Sequence, residues 1–172
     1  AHRRLQGGNG SGIDIATSIT GGTVAVTTSR QTESGSRVVQ AQPVAWPRRL
    51  RIVAVWSGQS ASTPAMLGRL RAFRDRNAEH FASHMQRLGA TAGQAVAAFR
   101  ANDVDGLLSA VAGYESGLRR LDEAAGIGIF SPVHERLRAI AKKHTAVYKP
   151  SGAGGGDFGI ALTDSHDTER SL

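Results

Sequence analysis

The sequence predicts an α+β fold in two parts, and three observations carry that prediction. Small and apolar residues alternate within the first 46 positions. Apolar residues then recur at steps of three and four between about 63 and 143. Two short apolar runs flank a glycine-rich stretch near the C-terminus. With 172 residues there is room for one ordinary domain with a core, or one domain plus a piece of another.

The elements follow in order. "GGNGSGIDIATSITGG" (7–22) sets Asp14 beyond a glycine-serine turn and before a small-residue run able to form a helix. On local grounds Asp14 either caps that turn or serves as a carboxylate near a phosphoryl-transfer centre. "GGTVAVTTSR" (21–30) alternates Val24 and Val26 with small residues, as a half-buried strand does, and "SRVVQAQP" (36–43) is its expected hairpin partner. In "RLRIVAVWSG" (49–58), Leu50, Ile52, Ala54 and Trp56 share one face while Val53 and Val55 share the other, which predicts a strand covered on both sides.

Helices come next. Thr63-Pro64 reads as a cap and first turn, because proline there loses no hydrogen bond. Met66, Leu70, Phe73, Asn77, Phe81, Met85 and Leu88 draw one apolar stripe of ordinary core packing, followed by a shorter segment around Val96 and Phe99. Asp103 caps a further helix with Val104, Leu107, Val111, Tyr114, Leu118 and Leu121 inward. Ser131-Pro132 opens another with Val133, Leu137 and Ile140 inward and Lys142 and Lys143 at its negative dipole end. "HTAVYK" (144–149) and "DFGIALT" (157–163) read as strands, and the polar tail "DSHDTERSL" as frayed.

Between those two strands lies "KPSGAGGGDFGIAL" (149–162). Residues 154–159 satisfy GxGxxG, but a dinucleotide fingerprint needs a helix after its glycines and an acidic residue about 20 positions on. A strand follows instead, and no GK[ST] phosphate loop is present. What remains is a strand–glycine-loop–strand element. Its backbone N–H groups could form an anion-binding concavity that a phosphate approaches closely, or the loop could be no more than a tight connection.

Composition is compatible with an anionic ligand. Lys and Arg number 21 against 14 Asp and Glu, a net charge of +7 that favours phosphorylated metabolites, nucleotides or nucleic acid. Arginines 69, 71, 74 and 76 would spread around a helix rather than line one face, and no aromatic platform accompanies them, so nucleic acid is not expected as a partner. No apolar run approaches the roughly 20 residues that span a bilayer, so no membrane partner is expected either. With no cysteine, disulfides and thiolate metal sites are excluded.

"GSGID" followed by "GG", then "WSGQSAST" (56–63), then "KPSGAGGGDFGIAL" resembles the C-terminal part of a GHMP-superfamily small-molecule kinase. The middle motif is most similar to the bacterial-type phosphomevalonate kinases. The resemblance runs from about Ala1 to Thr163. It implies that residues 1–46 end a domain like ribosomal protein S5 domain 2, and that 47–172 form most of a ferredoxin-like C-terminal domain. It implies a cytoplasmic enzyme that uses ATP and Mg2+ to phosphorylate a small, phosphorylated isoprenoid-pathway metabolite, phosphomevalonate to diphosphomevalonate.

By the same resemblance Asp14 matches the catalytic aspartate. Ser151, Gly152, Ala153 and Gly154 match the loop beside the transferred and acceptor phosphates, with Gly152, Gly154, Gly155 and Gly156 toward the nucleotide. Ser57, Ser60 and Ser62 match a segment near the acceptor, and Ser11 adds a further acceptor contact. No protein metal ligand is implied. The superfamily's ATP-phosphate loop belongs upstream of Ala1, so the chain is expected to be part of an enzyme of roughly 300 residues or more, inactive as this piece alone. Mevalonate or sugar-phosphate kinases on the same fold, and a non-catalytic metabolite-binding protein, remain the alternatives.

Overall fold

The computed structural model describes residues 12–30 and 37–172. The chain divides into two compact units, with the boundary between Trp46 and Pro47.

In the first unit, helix α1 (Ile13–Thr20) precedes strands β1 (Val24–Arg30) and β2 (Arg37–Pro43). The strands pair antiparallel in full register, from Val24 opposite Pro43 to Arg30 opposite Arg37, as the alternating pattern predicts. Gly12, at φ 76°, is the helix N-cap, and Gly21, at φ 72°, closes its other end. Asp14 lies one residue inside α1, in the first turn, where a carboxylate faces the positive end of the helix dipole, and the turn it was expected to cap lies, up to residue 11, outside the described residues.

The second unit runs β3 (Arg51–Trp56), α2 (Thr63–Arg76), α3 (Ala78–Arg100), α4 (Val104–Ala125), α5 (Pro132–Lys143), β4 (Val147–Pro150), β5 (Phe158–Thr163) and α6 (His166–Ser171). Its sheet is three-stranded and antiparallel, in the order β3-β5-β4, with β5 central. Taking the four helices between β3 and β4 as one layer, this is the β–α–β–β–α succession of a ferredoxin-like domain. On one face of the sheet, Val53, Tyr148 and Ala161 pack with Leu137 and Ala141 of α5 and with Leu172. On the other, Ile160 and Leu162 meet Val104, Leu107 and Val111 of α4 and Phe99 of α3. A separate cluster joins the helices to one another: Met66 and Phe73, Leu88, Leu121, and the loop residues Ile127 and Ile129.

Five sequence expectations are corrected. First, β3 is not covered on both sides: Ile52 and Trp56 are 42% and 49% exposed, because β3 is an edge strand beyond the helices that cover β5. Trp56 finds its partner in the ring of Phe158, directly across the ladder at 5.2 Å. Second, the stripe from Met66 to Leu88 belongs to two helices, since Asn77 (φ −140°, ψ 57°) ends α2 and starts α3. The cap of α2 is Ser62 rather than Thr63.

Third, the segment around Val96 and Phe99 is the continuation of α3. Fourth, the inward face of α5 is turned by one position: His134 and Ala141 are buried beside Leu137, and Ile140 is exposed. Fifth, the tail forms α6, capped by the Ser165 hydroxyl accepting from the Thr168 N–H. Two cap predictions hold, with Asp103 accepting from the Gly106 N–H and Ser131 from the His134 N–H.

A buried ion network fixes α4 to α5. Glu115, 4% exposed, accepts from Arg119 and from Arg138, each at 2.9 Å, while Arg119 also reaches Glu135 and lies 4.2 Å from the Phe130 ring centre. Removing one member of such a buried group leaves the others desolvated and unpaired, which costs about 3–5 kcal/mol when all are buried. Both arginines keep partial access to water, so Glu115→Ala is expected to lower stability by about 2–3 kcal/mol, below that range. Denaturant unfolding of the two proteins checks it; a change below about 0.5 kcal/mol would make the network a surface feature.

Candidate functional site

The β4–β5 connection, residues 151–157, is the glycine loop that the sequence singles out, and neighbouring backbone holds it on several sides. At its root the Ser151 N–H donates to the Phe158 carbonyl (2.8 Å). On one flank the Gly155 N–H donates to the Ile129 carbonyl (2.7 Å). On the other, the segment after β3 closes on it: the Ser57 N–H donates to the Asp157 carbonyl (2.8 Å), and the Asp157 N–H to the Gln59 carbonyl (2.6 Å).

These contacts explain three of the glycines without any ligand. A Cβ on Gly154 would stand 2.7 Å from Ile129 Cγ2, one on Gly155 3.0 Å from the Gly128 carbonyl, and one on Gly156 2.8 Å from the Gln59 carbonyl. Gly154 and Gly155 also have φ near +77°, in the region that favours glycine. The approach of a phosphate is thus not needed to explain why Gly154, Gly155 and Gly156 are bare. At Gly154, Gly155 and Gly156 the bareness serves packing against the protein itself. Gly152 differs: it is exposed, and a Cβ there meets nothing within 4 Å.

What the loop offers a ligand is its N–H groups. Among the described residues, those of Gly152, Ala153, Gly154 and Gly156 have no hydrogen-bond acceptor. Positive φ at Gly152 (69°) and Gly154 (78°), on either side of Ala153, gives the alternation of backbone hand found in anion-binding concavities. At the root, Lys149 Nζ donates to the Pro150 carbonyl at 2.7 Å, and burial holds its ammonium below the usual lysine range.

The supports of the loop are themselves braced. Asp122 on α4 accepts from the Gly128 N–H (2.6 Å) and the Phe130 N–H (3.0 Å), and Arg69 on α2 donates to the Ile127 carbonyl (2.8 Å). Together they fix the 127–130 segment that carries Ile129. His134, fully buried on α5, has Nε2 2.9 Å from the Gly156 carbonyl and Nδ1 2.7 Å from the Tyr148 hydroxyl. Burial pushes the Tyr148 phenol up to about 12, so its proton stays in place at neutral pH. That hydroxyl lies against Gly159, where no Cβ fits.

Of the residues the sequence nominates, the fold brings Ser57 and the Ser60 segment against Gly156 and Asp157, and Ala153 against the helical cluster. Ser57 Oγ bonds within its own turn, to the Gln59 carbonyl (3.1 Å) and from the Gln59 N–H (3.3 Å). Ser60 and Ser62 are exposed, and Ser62 caps α2 through its backbone carbonyl alone. Ser151 is half-buried. Asp14 is exposed on α1 in the other unit, and Ser11 lies outside the described residues.

Sequence reasoning missed Arg69, Asp122, His134 and Tyr148. The spacing His134–Leu137–Ala141 was the available signal for an inward histidine. Among the described residues no three His, Asp or Glu side chains cluster as a metal site, and no helix is long and apolar enough to cross a membrane.

An apolar cleft of about 400 Å³ adjoins the loop. Met66, Leu70, Leu88, Tyr114 and Leu118 line it, and Ala153 forms part of its wall.

The chain matches no protein-family model. It is 36% identical over 122 residues to phosphomevalonate kinase of Streptomyces sp. (strain CL190), a stretch covering 69% of this chain and 32% of that protein. The chain therefore spans about a third of the length of the curated relative it matches.

Among solved structures, the Lin0012 protein from Listeria innocua superposes with a TM-score of 0.88 at 26% identity, over 98% of this chain and 51% of that one. Mevalonate kinase of L. major, solved with R-mevalonate, gives 0.77 at 22% identity over 96% and 48%. Streptococcus pneumoniae phosphomevalonate kinase, solved with phosphomevalonate and AMPPNP, gives 0.74 at 20% identity over 96% and 52%. The last two likenesses are of fold, and the fold they share is α+β with small antiparallel sheets. Over 69% of its length the chain is thus homologous to part of a phosphomevalonate kinase, and it shares the fold of the mevalonate and phosphomevalonate kinases.

Proposed function

We propose that the full-length protein transfers the γ-phosphate of ATP to a small isoprenoid-pathway metabolite, with phosphomevalonate as the acceptor and diphosphomevalonate as the product. The observation that carries this reading is the run of N–H groups at Gly152, Ala153 and Gly154, which lack acceptors on a loop that protein contacts hold still. Phosphoryl transfer asks the protein for position and charge stabilisation more than for covalent chemistry, and a pre-set row of N–H donors supplies both. Lys149 adds a cation at the root of the same loop.

The domain reading is part of the proposal: residues 1–46 end an N-terminal GHMP domain and 47–172 form most of the C-terminal one. The Ser57–Ser62 segment, bonded to Asp157, is the proposed neighbour of the acceptor. Mg2+ would be held mainly by the nucleotide phosphates and water, as this ion commonly is, with at most one or two carboxylates from the protein. When bound it neutralises charge on the transferred group.

Asp14 is the proposed catalytic carboxylate, on its motif match. A phosphate monoester with a second pKa of about 6 is already largely ionised at neutral pH. Asp14 then acts by orienting the acceptor more than by taking a proton. An alcohol acceptor such as mevalonate would use it as a base. The kinship to a phosphomevalonate kinase favours the first case.

Two measurements test the reading on the full-length protein with a coupled ADP-release assay. Wild type is expected to turn over phosphomevalonate in preference to mevalonate, and Asp14→Asn to lower kcat by about 10²-fold or more, within the usual span for acid–base groups. An Asp14→Asn enzyme within threefold of wild type would remove Asp14 from the chemistry. Gly152→Ala introduces a methyl group that meets no protein atom within 4 Å and stands on the exposed side of the loop, at a backbone cost of about 1–2 kcal/mol because φ there is 69°. It is expected to leave the protein folded and to raise KM for the phosphorylated acceptor about tenfold. An unchanged KM would take the phosphate off this loop.

A further inference from the structure

We propose that His134 is a positioning residue which, through one peptide unit, sets the glycine loop against the Ser57–Ser62 segment. The inference rests on the proposed function, because it assigns those two segments to the phosphorylated substrates.

The geometry is specific. A carbonyl can only accept, so the Nε2 that faces Gly156 carries the proton. Nδ1 of the neutral ring is then the acceptor and receives the Tyr148 hydroxyl. Tyr148 thereby selects the tautomer that can reach the loop. The Gly156 carbonyl belongs to the same planar unit as the Asp157 N–H, which points the opposite way and donates to the Gln59 carbonyl. One peptide is thus gripped at both ends, by α5 on one side and by the segment after β3 on the other.

Asp157 has φ 55°, a backbone hand that side-chain-bearing residues rarely adopt. Its own carbonyl accepts from the Ser57 N–H. Without the pull of His134 on Gly156, rotation of that peptide would relieve Asp157. It would also break the Asp157–Gln59 bond and shift the two segments relative to one another. His134 has no exposed surface, so its part in the reaction would be exerted entirely through Gly156.

The test compares His134→Leu, His134→Gln and Tyr148→Phe in the full-length protein, by hydrogen–deuterium exchange without substrate and by steady-state kinetics at a temperature where all are folded. His134→Leu is expected to speed exchange tenfold or more at 152–157 and 57–61 while α3 stays as in wild type. Its kcat/KM for the phosphorylated acceptor should fall at least tenfold. His134→Gln, which keeps an N–H donor at the same reach, should recover kcat/KM to within threefold of wild type, a rescue that loss of mere packing would not show.

If His134→Leu does not fold, Tyr148→Phe decides alone: it removes one hydroxyl and should speed loop exchange and lower kcat/KM at least threefold. Exchange that rises equally throughout α4 and α5, or a kcat/KM within twofold of wild type in a folded His134→Leu or Tyr148→Phe variant, would overturn the proposal. If wild type shows no phosphoryl transfer, the functional reading fails, and the exchange pattern still decides whether His134 sets the loop.

Discussion

Everything in the candidate site depends on how a seven-residue connection rich in glycine is kept in one shape. Glycine loses more backbone entropy on ordering than any other residue, so such a loop stays ordered only where outside contacts hold it. Three segments supply them: the Ile129 carbonyl, the Gln59 carbonyl and the buried His134 ring. Each of the three is braced in turn, Ile129 by Asp122 and Arg69 through its neighbours, Gln59 by the turn that Ser57 closes, and His134 by Tyr148. The consequence is a row of N–H groups whose directions are fixed before any ligand arrives. Preorganised donors of this kind lower a barrier because they need not reorient when charge develops.

The same logic explains why the loop's glycines divide into two kinds. Gly154, Gly155 and Gly156 are where other backbone approaches too closely for any side chain. Gly152 is where the chain turns with positive φ but faces open space. A run of glycines in a sequence therefore does not translate directly into a ligand-facing surface. Part of it forms the joint between loop and scaffold, and part forms the surface that joint holds out.

Much of the architecture was legible in the residues. The β1–β2 hairpin, the capped helices at Asp103 and Ser131, and the strand–glycine-loop–strand element all follow from local periodicity and capping chemistry. What failed depends on tertiary context. Ile52 and Trp56 share a face of a strand whose pattern reads as doubly covered, yet that strand is at the sheet edge, which no local pattern reveals. Asn77 fits a helical stripe, yet its backbone (φ −140°, ψ 57°) leaves the helical region, so one apparent helix is two. In α5 a scan for apolar residues favours Val133 and Ile140 over a histidine. His134 is nevertheless buried, because a hydroxyl and a carbonyl satisfy both its nitrogens. The candidate site was legible as two motifs, and its supports were not, because Asp122, Arg69 and Tyr148 act through backbone groups or a partner far away in sequence.

The central claim is that the glycine loop receives a phosphoryl group through its N–H row. The most direct measurement follows the backbone amides of the isotope-labelled full-length protein by NMR while phosphomevalonate is added. The account predicts saturable downfield shifts concentrated at the amide protons of Gly152, Ala153 and Gly154, as expected when an N–H acquires a charged acceptor. The Gly155 and Asp157 amides, already bonded to Ile129 and Gln59, should move far less. Saturable binding that leaves the 152–154 amides unmoved would contradict it.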